Sequence, residues 1–190
     1  LIGIPMGVIL VITRRDGICP APKTNAVLGT IVNIMRSVPF LILIIVLIPF
    51  TRLVAGTSIG ATATIVPLIV GAAPFIARMV ESSLLEVDAG VVEAAQAMGA
   101  SPWQIVTKVL LKESVPSLVT GAAIALTTIL GYSAMAGAVG GGGLGDLAIK
   151  YGYHRYQTDV LLLTLIILVL LVQVIQALGN AVAKRIDHRK

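Results

Sequence analysis

The sequence predicts an all-α protein that crosses a membrane several times. Two observations carry this. The 190 residues are 57% hydrophobic and only 12% charged, whereas soluble domains are nearer a quarter charged. Three long stretches, Leu53 to Ala77, Ser114 to Gly145 and Val160 to Ala183, contain no charged side chain at all. Each is long enough to hold the roughly 20 apolar residues a membrane helix needs. The chain is read as one transmembrane domain over 1–190.

Leu1 to Thr13 is apolar but too short to span, and is expected to be the tail of a first membrane helix that begins before Leu1. The polar run Thr13-Arg14-Arg15-Asp16-Gly17 ends it, and Pro20 and Pro22 mark a loop. A second span is expected over 26–53. Pro39 and Pro49 can kink it, as membrane helices tolerate when neighbours satisfy the freed carbonyls. Its Arg36 should face protein or water, either lining the inner mouth of a pathway or snorkelling at the boundary.

A third span is expected over 61–79, interrupted by Pro67, Gly71 and Pro74. Such broken helices often line a substrate route. A fourth is expected over 115–138, where Gly121, Ala122 and Ala125 give the small-residue spacing of close helix packing. Ser133 and Met135 are further candidates for a pathway wall. The run Gly140-Gly141-Gly142-Gly143-Leu144-Gly145 formally contains G-x-G-x-x-G. A membrane helix precedes it where a nucleotide site needs a β-strand, so a flexible extracytoplasmic loop is expected. Leu144, Leu147, Ala148 and Tyr151 suit a short interfacial helix, with Tyr151, Tyr153 and Tyr156 near the headgroups. The last span is expected over 160–183.

The cytoplasmic region 88–112 is the most strongly patterned. Val91, Ala94, Ala95 and Met98 fall at i, i+3, i+4 and i+7 and are expected to form one shallow helical face. Asp88 can cap the start, and Gly99 stands where a left-handed stop belongs. Ser101 can cap a second helix with Pro102 at its first position.

Basic residues distribute unevenly across these loops. Arg14, Arg15, Lys23, Arg78, Lys108, Lys112, Lys184, Arg185, Arg189 and Lys190 fall on one side, against Arg52, Lys150 and Arg155 on the other. The positive-inside rule then makes region 88–112 and the carboxyl terminus cytoplasmic. The net charge of +5 is therefore a matter of topology, and no nucleic-acid partner is expected. Cys19 is the single cysteine, which excludes an internal disulfide, and neither histidine has a neighbour suggesting a metal site. No phosphate loop or nucleophile–base constellation is present, so no catalytic residue is assigned. Any energy must come from a separate subunit. Five helices are few to enclose a pathway, which suggests a two-fold dimer.

Glu93-Ala94-Ala95, three residues, then Gly99 resembles the EAA loop of ATP-binding-cassette importer permeases. The longer segments beginning at Arg36, Gly71, Glu93 and Gly131 resemble the methionine-importing branch of that family over essentially the whole chain. The resemblance implies a type I importer permease fold with five membrane helices, the first truncated here, in a bacterial inner membrane. It implies that Glu93, Ala94, Ala95, Met98, Gly99 and Ala100 form a coupling helix for a cytoplasmic ATPase. It also implies a second copy of the chain, two ATP-binding subunits that hold ATP and Mg, and an extracytoplasmic methionine-binding protein. Gly142, Gly143, Asp146 and Tyr153 are candidates for docking that protein. Lys112 stands where the family pattern has proline, which puts the kink into the next helix in doubt. Another amino acid or a small peptide as cargo, or a transporter or channel without an ATPase, are the alternatives.

Overall fold

The computed structural model describes residues 2–186, and among these every regular element is helical. The described residues form eleven α-helices, with one 3-10 and two π segments among them: α1 Gly3–Ile12, α2 Pro22–Ser37, α3 Phe40–Val46, α4 Ile48–Ala55, α5 Ala61–Leu85, α6 Ala89–Ala97, α7 Pro102–Gln104, α8 Leu111–Glu113, α9 Val115–Ala136, α10 Gly143–Leu147 and α11 Thr158–Ile186. Three helical stretches are long and apolar enough to cross a membrane: α5, α9 with its 3-10 extension to Val139, and α11. The pair α2 and α3 makes a fourth if it is counted as one broken span.

The stretch expected as a span over 26–53 consists of three helices, with breaks beside the two prolines expected to kink it. The helix stops at Ser37 and restarts at Phe40, with Pro39 as the extended N-cap at φ −57° and ψ 131°. Proline brings no N–H to the preceding turn and drives the residue before it out of the α region. A second break falls at Leu47, and Pro49 lies in the first turn of α4, where no N–H is required of it. Helices α5 and α11 run past the expected ends of their spans, to Leu85 and Ile186, whereas α9 ends at Ala136 and continues as a 3-10 turn to Val139.

The chain divides into two compact units, with the division falling inside α5, α9 and α11. The first comprises 2–36, 73–123 and 179–186 of the described residues. In it α1 lies against α5 at glycine distance: a Cβ on Gly3 would stand 2.6 Å from Ile76 Cβ, and one on Gly7 2.6 Å from the Ala77 carbonyl oxygen. Small residues let backbones approach this closely. Asn25 ties α2 to the end of α1 by donating to the Leu10 carbonyl at 2.6 Å and to Thr13 Oγ1 at 3.1 Å. Arg78 ties α5 to α2 by donating to the Gly29 carbonyl and to Asn33 Oδ1, and it also pairs with Glu81. Ser117 donates to Ser83 at 3.1 Å between α9 and α5. Val11, Val80, Leu84, Ala95, Ile105, Val106 and Leu110 form one apolar core cluster of this unit, and Leu10, Val32 and Ala77 form another.

The second unit comprises 37–72 and 124–178. Phe40 of α3 stacks on Tyr132 of α9, with centroids 4.2 Å apart and planes 8° from parallel. Gly71 of α5 receives Phe40 and Leu43, both within 3.3 Å of where its Cβ would be. Of the run expected as a flexible loop, Gly140 to Gly142 lie outside any helix, between a 3-10 turn Gly137–Val139 and α10, which begins at Gly143 and continues as a π segment Ala148–Tyr153. The anticipated short interfacial helix is thus part of a longer folded segment. Its glycines allow close approach. A Cβ on Gly145 would collide with the Ala134 carbonyl, and one on Gly137 with the Asp146 amide. The Gly60 amide donates to the Gly140 carbonyl at 3.0 Å and pins this segment to the start of α5. Most of α11 in this unit presents leucine, isoleucine and valine outward, as a helix facing lipid or another apolar surface does.

A candidate coupling site: the capped helical corner

The corner from Asp88 to Gln104 is built from local signals, each of which satisfies a backbone group a helix end leaves open. Asp88 Oδ1 accepts from the Gly90 amide at 2.7 Å and starts α6. At the far end the Met98 amide donates to the Ala94 carbonyl, Gly99 to Gln96 and Ala100 to Ala95, all at 2.9–3.1 Å. Gly99 has φ +77° with nothing within 4 Å of its missing Cβ, the left-handed stop that glycine adopts without steric cost. Ser101 and Gln104 then form a reciprocal capping box at 3.3 and 2.8 Å, with Pro102 in the first turn.

This corner faces two ways. Ala95 is only 5% exposed and belongs to the core with Leu84, Ile105 and Leu110. The expected face of Val91, Ala94, Ala95 and Met98 is therefore corrected. Ala95 and Val92, three residues apart, turn inward, while Val91, Ala94 and Met98 remain outside with Glu93 and Gln96. Met98 is 81% exposed and Trp103 is 74% exposed. Trp103 is a surface residue that the sequence pattern of α6 does not include. Gly99 is exposed and Ala100 half-buried.

Behind α6 lies a cavity of about 300 Å³ between the α1–α2 loop and the helix, reached by Ile12, Arg14, Asp16, Leu85, Glu93 and Gln96. Arg14 pairs with Asp16 at 3.2 Å. The Asp16 carboxyl is held below the usual carboxylate range, first by a backbone hydrogen bond and then by Arg14. Past the corner the chain continues through a π segment Ile105–Leu110 into α8. Lys112 lies inside α8. The helix is interrupted two residues later at fully buried Ser114, whose hydroxyl donates to the Leu110 carbonyl at 2.6 Å, and Pro116 falls in the first turn of α9.

The remaining candidates differ in exposure. Arg36, Ser133 and Met135 are exposed. Pro67 and Pro74 are buried, and Gly71 is covered by Phe40 and Leu43. Of the candidate docking residues, Gly142 and Gly143 have positive φ and flank the start of α10. Asp146 reaches Lys150 at 3.9 Å, and Tyr153 is 68% exposed with its ring edge-on to His154. Among the described residues no three histidine, cysteine or acidic side chains converge as a metal site would require.

An all-helical chain with uncharged spans and a self-capped polar corner has the anatomy of an importer permease. It belongs to the family of binding-protein-dependent transport system inner membrane components, whose profile matches residues 3–190. Its fold is that of the type I permeases of ATP-binding-cassette importers. It is 55% identical over 188 residues to the probable D-methionine transport system permease protein MetI of Vibrio cholerae serotype O1, spanning 99% of this chain and 84% of that protein. The D-methionine transport system permease protein MetI of Escherichia coli K12 is 58% identical over 137 residues, 72% of this chain and 63% of that protein. Among solved structures, the inward-facing MetNI methionine ABC transporter, in its CY5 SeMet soak crystal form, superimposes with a TM-score of 0.97 at 53% identity, over 98% of this chain and 87% of that one. An amino acid ABC transporter at 19% identity superimposes with a TM-score of 0.76, a likeness of fold.

Proposed function

We propose that this chain is the membrane subunit of an ATP-driven importer that carries methionine, in its L form and also its D form, from a binding protein into the cytoplasm by alternating access. The observation that carries the reading is the joint match to MetI proteins and to a methionine transporter structure at over half identity across nearly the whole chain. Two copies of the chain would enclose the pathway, with the apolar outer surfaces of α9 and α11 against the partner copy and lipid. Two ATP-binding subunits would hold ATP and Mg on the cytoplasmic side, and the permease itself would hydrolyse nothing. The outward face of Val91, Ala94, Met98 and Gly99 would seat in the ATPase, with Glu93 beside it. ATP-driven closure of the ATPases would move the two corners as rigid bodies and tilt the spans. The carboxyl terminus would be cytoplasmic, in keeping with the excess of basic residues on that side.

On the other side, Gly142, Gly143, Asp146 and Tyr153 would meet the methionine-binding protein. The stretches Leu53 to Ala77, Ser114 to Gly145 and Val160 to Ala183 carry no charge to hold a zwitterion, so selection would fall to that binding protein. Arg36, Ser133 and Met135 would touch the passing cargo in transit. The test is uptake of labelled methionine into proteoliposomes containing permease, ATPase and binding protein, with other amino acids as competitors. ATP-dependent uptake that unlabelled methionine suppresses is the expected result. Uptake without the ATPase, or no preference for methionine, would overturn the reading.

A further inference from the structure

Within the first unit a cavity of about 400 Å³ opens where the end of α5, the start of α9 and the end of α11 meet. Its size is that of a small-molecule site, but its walls are unusual for a chain with so few charges. Glu86 and Lys184 both line it, joined by Ser117, Thr120 and Asn180. Among the described residues neither Glu86 nor Lys184 has an ion-pair partner. The Ser117 hydroxyl donates its proton to Ser83 and the Thr120 hydroxyl to the Pro116 carbonyl, at 3.1 Å each. Both oxygens therefore keep lone pairs for an incoming donor, while Asn180 brings a donor and an acceptor.

One unpaired acid, one unpaired base and spare acceptors around a void complement a molecule that carries an ammonium and an anion a few bonds apart. We propose that this cavity is a zwitterion site, in which Glu86 with Ser117 and Thr120 receives a primary ammonium and Lys184 with Asn180 receives the anionic end. Two sources present that chemistry at the cytoplasmic face. One is the cargo amino acid as it leaves, which rests on the importer reading. The other is the headgroup of phosphatidylethanolamine. In either case binding is weak, because both charges are reached by water and solvated pairs contribute little. Weakness suits a departure site, which must release what it receives.

The test uses the permease–ATPase complex in nanodiscs of phosphatidylglycerol alone, comparing the native chain with Glu86→Gln, Lys184→Met and the exchanged pair Glu86→Lys with Lys184→Glu. Equilibrium dialysis reads methionine, methioninamide (ammonium only) and N-acetylmethionine (carboxylate only). Methionine should bind about fivefold more weakly to each single variant, the size of a lost exposed charge contact, and recover in the exchanged pair. Methioninamide should weaken only with Glu86→Gln and N-acetylmethionine only with Lys184→Met. Because each comparison is between variants, binding by the ATPase subtracts out. A second arm replaces the lipid with phosphatidylethanolamine. If that abolishes the methionine difference, and the native chain retains phosphatidylethanolamine through detergent washing more than either single variant does, the site is a lipid site. Equal methionine affinity and equal lipid retention in all four proteins would overturn the proposal. Methionine uptake by the native complex, measured alongside, reports on the importer reading separately.

Discussion

Arg78 of α5 donates to the side-chain oxygen of Asn33 in α2 across 2.9 Å. The same guanidinium also holds the Gly29 carbonyl and the Glu81 carboxylate. One side chain thus fastens two helices and neutralises an acid that is only 13% exposed. Replacing Arg78 with methionine keeps the length of the stem and removes every one of these contacts. Glu81 is then left with its charge largely out of water, at a cost of about 2 kcal/mol. The expected outcome is a lower melting temperature of the purified permease in detergent. The double variant Arg78→Met with Glu81→Gln should recover part of the loss, and a melting temperature unchanged by Arg78→Met would remove the network from the account of stability.

At the corner, Gly99→Val should separate ATP hydrolysis from transport. A β-branched residue at φ +77° is a steric outlier and costs roughly 1–2 kcal/mol. The space around the position is open, so Gly99→Asn, which tolerates the left-handed region, should be mild. Uptake and ATPase stimulation in proteoliposomes measure both. Equal behaviour of valine and asparagine would mean that the backbone angle is not what matters.

The two faces of α6 give a paired prediction. Ala94→Trp adds a protrusion on the outer face and should block capture of the ATPase in a pull-down while leaving the permease as stable as before. Ala95→Trp pushes a large ring into the core of Leu84, Ile105 and Leu110 and should lower stability first, by about 1–3 kcal/mol. Equal loss of capture and of melting temperature in both variants would argue against a helix with distinct inner and outer faces.

In the second unit the Phe40–Tyr132 stack should contribute about 1 kcal/mol beyond the area it buries. Tyr132→Leu should therefore lower the melting temperature, whereas Tyr132→Phe should keep it. A loss with phenylalanine as large as with leucine would assign the effect to the hydroxyl instead of the stack.

What could be read from the chain beforehand divides along a physical line. The corner was legible at Asp88, Gly99, Ser101 and Pro102 because caps and left-handed stops depend on residues within four positions of one another. The direction of the α6 face was not. Periodicity groups Val91, Ala94, Ala95 and Met98, but with alanines in the stripe nothing local says which edge meets a core supplied by residues 11, 84 and 105. Prolines announced the breaks around Pro39 and Pro49 without giving the length of the pieces between them. The run from Gly140 to Gly145 is ambiguous, since its first three residues stay outside any helix while its last three begin α10. Glycine serves both mobility and close backbone approach, and only the position of the Ala134 carbonyl distinguishes the two. The π segment at Ile105–Leu110 left no mark in composition.

The reciprocal bonds of Ser101 and Gln104, with the cap at Asp88, have a kinetic consequence. A loop whose end groups are already paired within itself has lost its conformational freedom before any partner arrives, so the entropy of ordering is not charged to the encounter. Association with an ATPase should then be a single bimolecular phase, with an observed rate that climbs in proportion to ATPase concentration and never levels off. Cutting the Ser101–Gln104 box would introduce a plateau, set by how fast the loop finds its shape.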